Sequence, residues 1–143
     1  MPEAACPFCE IASGETEAAI VLDQPAALAF LDHRPLFHGH CLLIPRTHTE
    51  TLLDLPDAEV GPLFVTAKRL TEAVTEAMGA EGTFVALNNV VSQSVPHLHL
   101  HVVPRRRKDG LRGFFWPRTK YESPAEMEAV RARVGAAVTA LEP

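Results

Sequence analysis

The stretch "SQSVPHLHLHVVPRRR", Ser92 to Arg107, holds His97, His99 and His101 at alternate positions with one leucine in each gap. Near neutral pH, imidazole can attack phosphorus, exchange a proton or ligate a metal, because its reference pKa lies near 6.5. In an extended strand alternate residues share a face, so the three rings point one way while Leu98, Leu100 and Val102 point the other. At a rise of about 3.3 Å per residue, neighbouring imidazoles leave the backbone roughly 7 Å apart, near enough for two of them to share one phosphate or one metal. A single histidine on a sheet face is ordinarily structural, whereas three in strict alternation require a site. Asn88, Gln93 and Ser94 add polar groups on the approach, which suits a pocket for an oxygen-rich ligand.

The cysteines are a second source of chemistry. Cys6 and Cys9 form C-P-F-C near the start, and Cys41 stands alone in the apolar run "CLLIP". A redox pair of the thioredoxin type follows a strand and opens a helix, but only five residues precede this one, so redox chemistry is disfavoured. Cys41 reads as a small core residue.

These residues must be positioned by a fold built from short strands and two helices. Runs with β character fall at Ala19 to Leu22, Ala26 to Leu31, Cys41 to Ile44, Thr83 to Leu87 and Pro96 to Val103, with "DQP" and "RPLFHG" as turns. Val60, Leu63, Phe64, Ala67, Leu70, Val74 and Met78 follow helical spacing with Gly79 as a stop, and Gly61-Pro62 predicts a break or a late start. A short helical turn is expected around Thr49 to Leu53. "SPAE" opens a C-terminal helix, with Ser123 as cap, Pro124 in the first turn, Glu126 completing a capping box, and Met127, Val130, Val134, Val138 and Leu141 as its buried stripe. The sum is an α+β fold: one antiparallel sheet of about five strands, one main helix packed on it and a second helix at the C-terminus. No linker or repeat divides the chain, so residues 1–143 are expected to form a single domain.

Bulk properties exclude several classes. The chain of 143 residues is 47% hydrophobic, an ordinary globular composition long enough to fold without disulfide staples. Neither a signal peptide nor a membrane span of about 20 apolar residues is visible, and three cysteines are not a secreted framework. A reducing, cytoplasmic setting with no membrane partner follows. A net charge of −5 argues against nucleic-acid binding, although seven of the 13 Lys and Arg residues lie between Arg105 and Lys120. That segment, with Phe114, Phe115 and Trp116, is either a solvated loop and packing cluster or an anion-facing edge.

"QSVPHLHLHVV" resembles the signature of the histidine triad (HIT) family, three histidines alternating with apolar residues. "AFLDHRPLFHGHCLLIPRTH" and the initial C-x-x-C are similar to that family's nucleotide-site segment and N-terminal cysteine pair, so the likeness covers most of Cys6 to Val103. The resemblance implies a homodimeric nucleotidyl hydrolase or transferase that acts at the α-phosphate of a purine nucleotide conjugate, a phosphoramidate or dinucleoside polyphosphate, through a covalent nucleotidyl-histidine intermediate. It makes His99 the nucleophile, held by a hydrogen bond to the main chain near His97. His101 and Ser94 assist, and Gln93 contacts phosphate oxygens. Asn88 contacts ribose or phosphate, Asp32 accepts from ribose hydroxyls, His33 lies by the base and His40 lies against the triad. It also implies a structural zinc on Cys6, Cys9, His48 and His97. The loop "NNVVSQ" is shorter and poorer in glycine than is usual in that family.

Two other readings stay open. In one, His99 and His101 ligate a catalytic ion, for which the sequence offers no neighbouring carboxylate to complete the ligand set. In the other, the same pocket belongs to a non-catalytic nucleotide-binding regulatory module.

Overall fold

The computed structural model describes residues 5–112 and 117–141, so Phe114, Phe115 and Trp116 lie outside the described residues. The chain forms two compact units, one running to Asp109 and one from Gly110.

In the first unit, β1 (Ile20–Asp23), β2 (Ala27–Leu31), β3 (Cys41–Pro45), β4 (Gly82–Ala86) and β5 (Leu100–Arg105) form one antiparallel sheet in the order β1-β2-β3-β5-β4. The central strands read "ALAFL" and "CLLIP" because both their faces are covered, which favours continuous apolar runs over alternation. Helix α2 (Asp57–Met78) covers one face: Leu63, Ala67, Leu70 and Val74 pack with Ala29, Leu43, Leu98, Leu100 and Val102. Helix α1 (Pro7–Ser13) carries Cys6 and Phe8 onto the other face against Leu28, Phe30, Leu42 and Ile44. Leu98, Leu100 and Val102 all lie under α2, so the expected alternation holds and the histidines project to the α1 side.

Two expectations in this unit need correction. Strand β5 begins at Leu100, so only His101 sits in regular strand. His97 and His99 lie on the extended approach, where the Leu98 amide donates to Thr49 O at 2.6 Å instead of entering the β3 ladder. Helix α2 neither breaks nor starts late at Pro62 but runs through it, since a proline near the N-terminal end displaces few ladder bonds. Gly79 ends the helix with φ +59°, as its left-handed cap requires. The expected turn near Thr49 to Leu53 is a 3₁₀ turn at Leu52–Asp54.

The second unit contains α3 (Pro124–Leu141). Ser123 Oγ accepts the Glu126 amide at 3.1 Å as foreseen, but the Glu126 carboxylate accepts the amide of Glu122, one residue before the box position. The stripe expected to be buried is not: Met127 is 57% exposed and Val134 58%. Among the described residues this unit holds no other helix or strand to cover it.

Candidate active site

The C-P-F-C pair opens α1. Cys6 is the N-cap, its Sγ accepting the Cys9 amide at 3.4 Å, and Pro7 occupies the first turn. Three residues make almost one helical turn, which brings both sulfurs to one end of the helix. His48, just past β3, and His97 complete the group: Cys6 Sγ lies 3.4 Å from His97 Nδ1, and Cys9 Sγ lies 3.3 Å from His48 Nδ1 and 3.5 Å from His97 Nδ1. Tetrahedral zinc with two sulfur and two nitrogen ligands separates S from N by roughly 3.5 Å. The opposite nitrogen of His97, Nε2, donates to Pro45 O at 2.8 Å, which leaves Nδ1 bare toward the sulfurs, as a metal-ligating histidine anchored through its other nitrogen requires. The four residues therefore fit a closed structural zinc centre.

His99 uses the backbone of that same residue. Its Nδ1–H donates to His97 O at 2.7 Å, and since a carbonyl only accepts, Nε2 of the neutral ring carries the lone pair. Among the described residues no buried side-chain nitrogen or oxygen lacks a partner, so Nε2 opens onto the cleft that His99 lines. This cleft has a volume of about 660 Å³. Phe8, Ile11, Phe30 and Val95 give it an apolar wall, and Asp32, Ser94, His99 and His101 give it a polar end. The Phe8 ring stands edge-on to His99 at 5.0 Å and to His97 at 5.9 Å. Phe8 was missed as a site residue, although its place inside C-P-F-C ties it to the cysteines.

His101 packs on His99 with ring centroids 5.0 Å apart. Burial, reinforced by His99 and His40 and opposed by Asp32, lowers its pKa from 6.5 to about 4. His40 Nε2 lies 3.0 Å from His101 Nδ1 and 3.7 Å from Asp32 Oδ2. Burial also lowers the pKa of His40, against the pull of Asp32. A carboxylate thus does stand beside the histidine row, contrary to the sequence reading, and Asp32, His40 and His101 offer donor atoms within 4.8 Å of one another. His40 reaches this position because Gly39 turns the chain at φ +97°, where a Cβ would come 2.6 Å from Met78 Cγ. Cys41, by contrast, is buried with its thiol raised in pKa, and it donates to Gly39 O.

The remaining candidates divide. Ser94 and His33 line the cleft, and Asp32 also accepts the Arg34 amide at 2.9 Å. Asn88 and Gln93 are not among the lining residues and instead hold their loop: Asn88 donates to Ser92 O, and Gln93 donates to Glu50 O while accepting the Val90 amide. Asn89 accepts the Leu52 amide. The loop they brace carries Val90 at φ +68°, an unfavourable conformation for a β-branched residue.

Residues 13–108 match the family model of the HIT domain. The chain is 30% identical over 135 residues to the adenosine 5′-monophosphoramidase hnt1 of Schizosaccharomyces pombe, covering 93% of this chain and 98% of that protein. It is 32% identical over 108 residues to the adenylylsulfatase HINT3 of Arabidopsis thaliana, covering 74% of this chain and 55% of that one. A crystal structure of a zinc-bound histidine triad family protein from Mycobacterium smegmatis superimposes with TM-score 0.72 at 36% identity, covering 94% of this chain and 99% of that one. The cysteine pair precedes the residues matched by the family model, so the case for a metal here rests on geometry.

Proposed function

This chain belongs to the HIT-domain family, and from that premise we propose that it is a nucleotide hydrolase cleaving at the α-phosphate of a purine nucleotide conjugate, with a nucleoside phosphoramidate as the first substrate class to test. The observation that carries this reading is the arrangement of the two ring nitrogens of His99: Nδ1–H tied to His97 O and Nε2 bare at the end of a cleft large enough for a nucleotide. The names of the two enzymatic relatives, a phosphoramidase and an adenylylsulfatase, support the same bond class.

In the proposed reaction His99 Nε2 attacks the α-phosphorus while the bond from phosphorus to the leaving nitrogen breaks; the electron pair stays on that nitrogen, which takes up a proton from solvent and departs as the neutral amine, and a nucleotidyl-imidazolium remains. Water then adds to phosphorus, the P–N bond to His99 breaks, the electron pair returns to Nε2, and the proton from water leaves to solvent. His101 and Ser94 bind the phosphoryl oxygens, Asp32 accepts from the ribose, and the apolar wall takes the base. When bound at Cys6, Cys9, His48 and His97, zinc would supply structure, fixing the residue whose carbonyl orients the nucleophile.

The test is release of AMP from adenosine 5′-phosphoramidate by wild type and His99→Ala. Turnover by wild type and a loss on the order of 10³-fold or more in the variant is the expected result. Undiminished turnover by the variant would refute the assignment of His99.

A further inference from the structure

His40 sits behind the cleft, and its hydrogen bonds determine more than its own placement. The Leu36 amide donates to His40 Nδ1 at 3.1 Å. An amide N–H cannot accept, so Nδ1 is bare and the neutral ring carries its hydrogen on Nε2. That hydrogen points at His101 Nδ1, 3.0 Å away. His101 Nδ1 is then the acceptor, and the hydrogen of His101 must sit on Nε2.

We propose that the main-chain amide of Leu36, acting through His40, locks His101 in the Nε2–H tautomer, so that it faces the cleft as a neutral hydrogen-bond donor to the phosphoryl group; the catalytic part of this statement rests on the function proposed above. His40 is accordingly a positioning residue. No buried polar side-chain atom among the described residues is unpartnered, so His101 Nε2, which has no partner among those residues, opens onto the cleft that His101 lines. The reverse tautomer of His101 would force the hydrogen of His40 onto Nδ1, opposite the Leu36 amide. Two donors would then face each other in a partly buried place, where an unsatisfied donor is unfavourable.

Three consequences follow. His99 and His101, packed side by side, are held in opposite tautomers: one is tied through Nδ1–H and offers a lone pair, the other accepts at Nδ1 and offers a hydrogen. The array ends in an amide that cannot give up its hydrogen, so it orients a donor and does not conduct a proton. The Asp32, His40 and His101 cluster is also unsuited to a metal, because ligation at His40 Nε2 would need the lone pair that the Leu36 amide has displaced.

The experiment is long-range ¹H–¹⁵N correlation NMR of the histidine rings at neutral pH in the full chain, for wild type, His40→Gln and His40→Leu. Glutamine can present an acceptor to Leu36 and a donor to His101 with spacing close to that of the two imidazole nitrogens; leucine can do neither. Wild type and His40→Gln should show His101 with hydrogen on Nε2, and His40→Leu a mixture of tautomers. His40→Leu should lose roughly 10²-fold in kcat with KM less affected, and His40→Gln should recover most of it. An Nδ1–H tautomer at His101 in wild type overturns the proposal, and this spectrum decides even if the leucine variant fails to fold. An Nε2–H tautomer that survives in folded His40→Leu also overturns it. The spectra are independent of turnover: a protein with the stated tautomers that cleaves no nucleotide conjugate removes the function and leaves the lock.

Discussion

His99 donates its Nδ1–H to the main-chain oxygen of His97 at 2.7 Å, while the ring of His97 points Nδ1 at Cys6 Sγ, 3.4 Å away. One residue thus serves two centres, the backbone orienting the His99 ring, the proposed nucleophile, and the side chain belonging to the cysteine cluster. The two sites are mechanically coupled through a single residue.

That coupling predicts a dual effect of metal loss. Metal analysis should find one zinc per chain, and Cys9→Ala should abolish it while lowering the melting temperature and kcat together. A structural zinc of this kind stabilises by about 10 kcal/mol or more in small peptides, and a larger core dilutes that dependence. Wild-type protein without zinc, or Cys9→Ala with an unchanged melting temperature, contradicts the metal centre.

Phe8 is 7% exposed and packs on Phe30, His97 and His99. Phe8→Ala is expected to destabilise by about 3–5 kcal/mol, the usual range for a buried phenylalanine. Phe8→Leu should retain most of the stability but reduce kcat, because the flat ring edge against His99 is gone. Urea titration and steady-state kinetics on the two variants separate these effects.

His40 and His101 are both held below the ordinary histidine pKa, chiefly by burial. Below pH 6.5 the unfolded chain takes up protons at these positions that the folded chain refuses, so their contribution to stability is complete above that pH and declines as pH falls toward about 4, the lowered value for His101. Melting temperatures of wild type should fall across this window. In His101→Asn the fall should be shallower, and an identical slope in the two proteins would show that His101 is not held neutral.

Val90 is 75% exposed and holds φ +68°. Val90→Gly removes the left-handed penalty, roughly 1–2 kcal/mol, against a backbone entropy loss of about 0.5–1 kcal/mol. A net rise in thermal stability of up to about 1.5 kcal/mol is the expected outcome, and destabilisation would mean that the loop gains something from the valine side chain.

Much of this architecture was legible in the residues because periodicity and local chemistry agreed. The strand runs, the α2 stripe ending at Gly79, the Ser123 cap and the opposite-facing Leu98, Leu100 and Val102 all follow from spacing. What escaped depended on contacts between segments distant in sequence. The α3 stripe reads as amphipathic whether or not anything covers it. The proximity of Asp32 to His101 arises from pairing Leu42 with His101 across β3 and β5, which no local pattern encodes. The Leu36 amide carries no side-chain signature at all, and Gln93 is turned into its loop by the Val90 amide and Glu50 carbonyl.

The central claim is that His99 becomes covalently nucleotidylated. Rapid-quench incubation with adenosine 5′-phosphoramidate, followed by intact-mass and peptide mapping, tests it most directly. A transient mass increase of one adenylyl group, located on His99, acid-labile and absent from His99→Ala, is the predicted result. Turnover by wild type with no adduct at the shortest times, accompanied by inversion of configuration at a chirally labelled α-phosphorus, would mean that water attacks directly and that His99 is not the nucleophile.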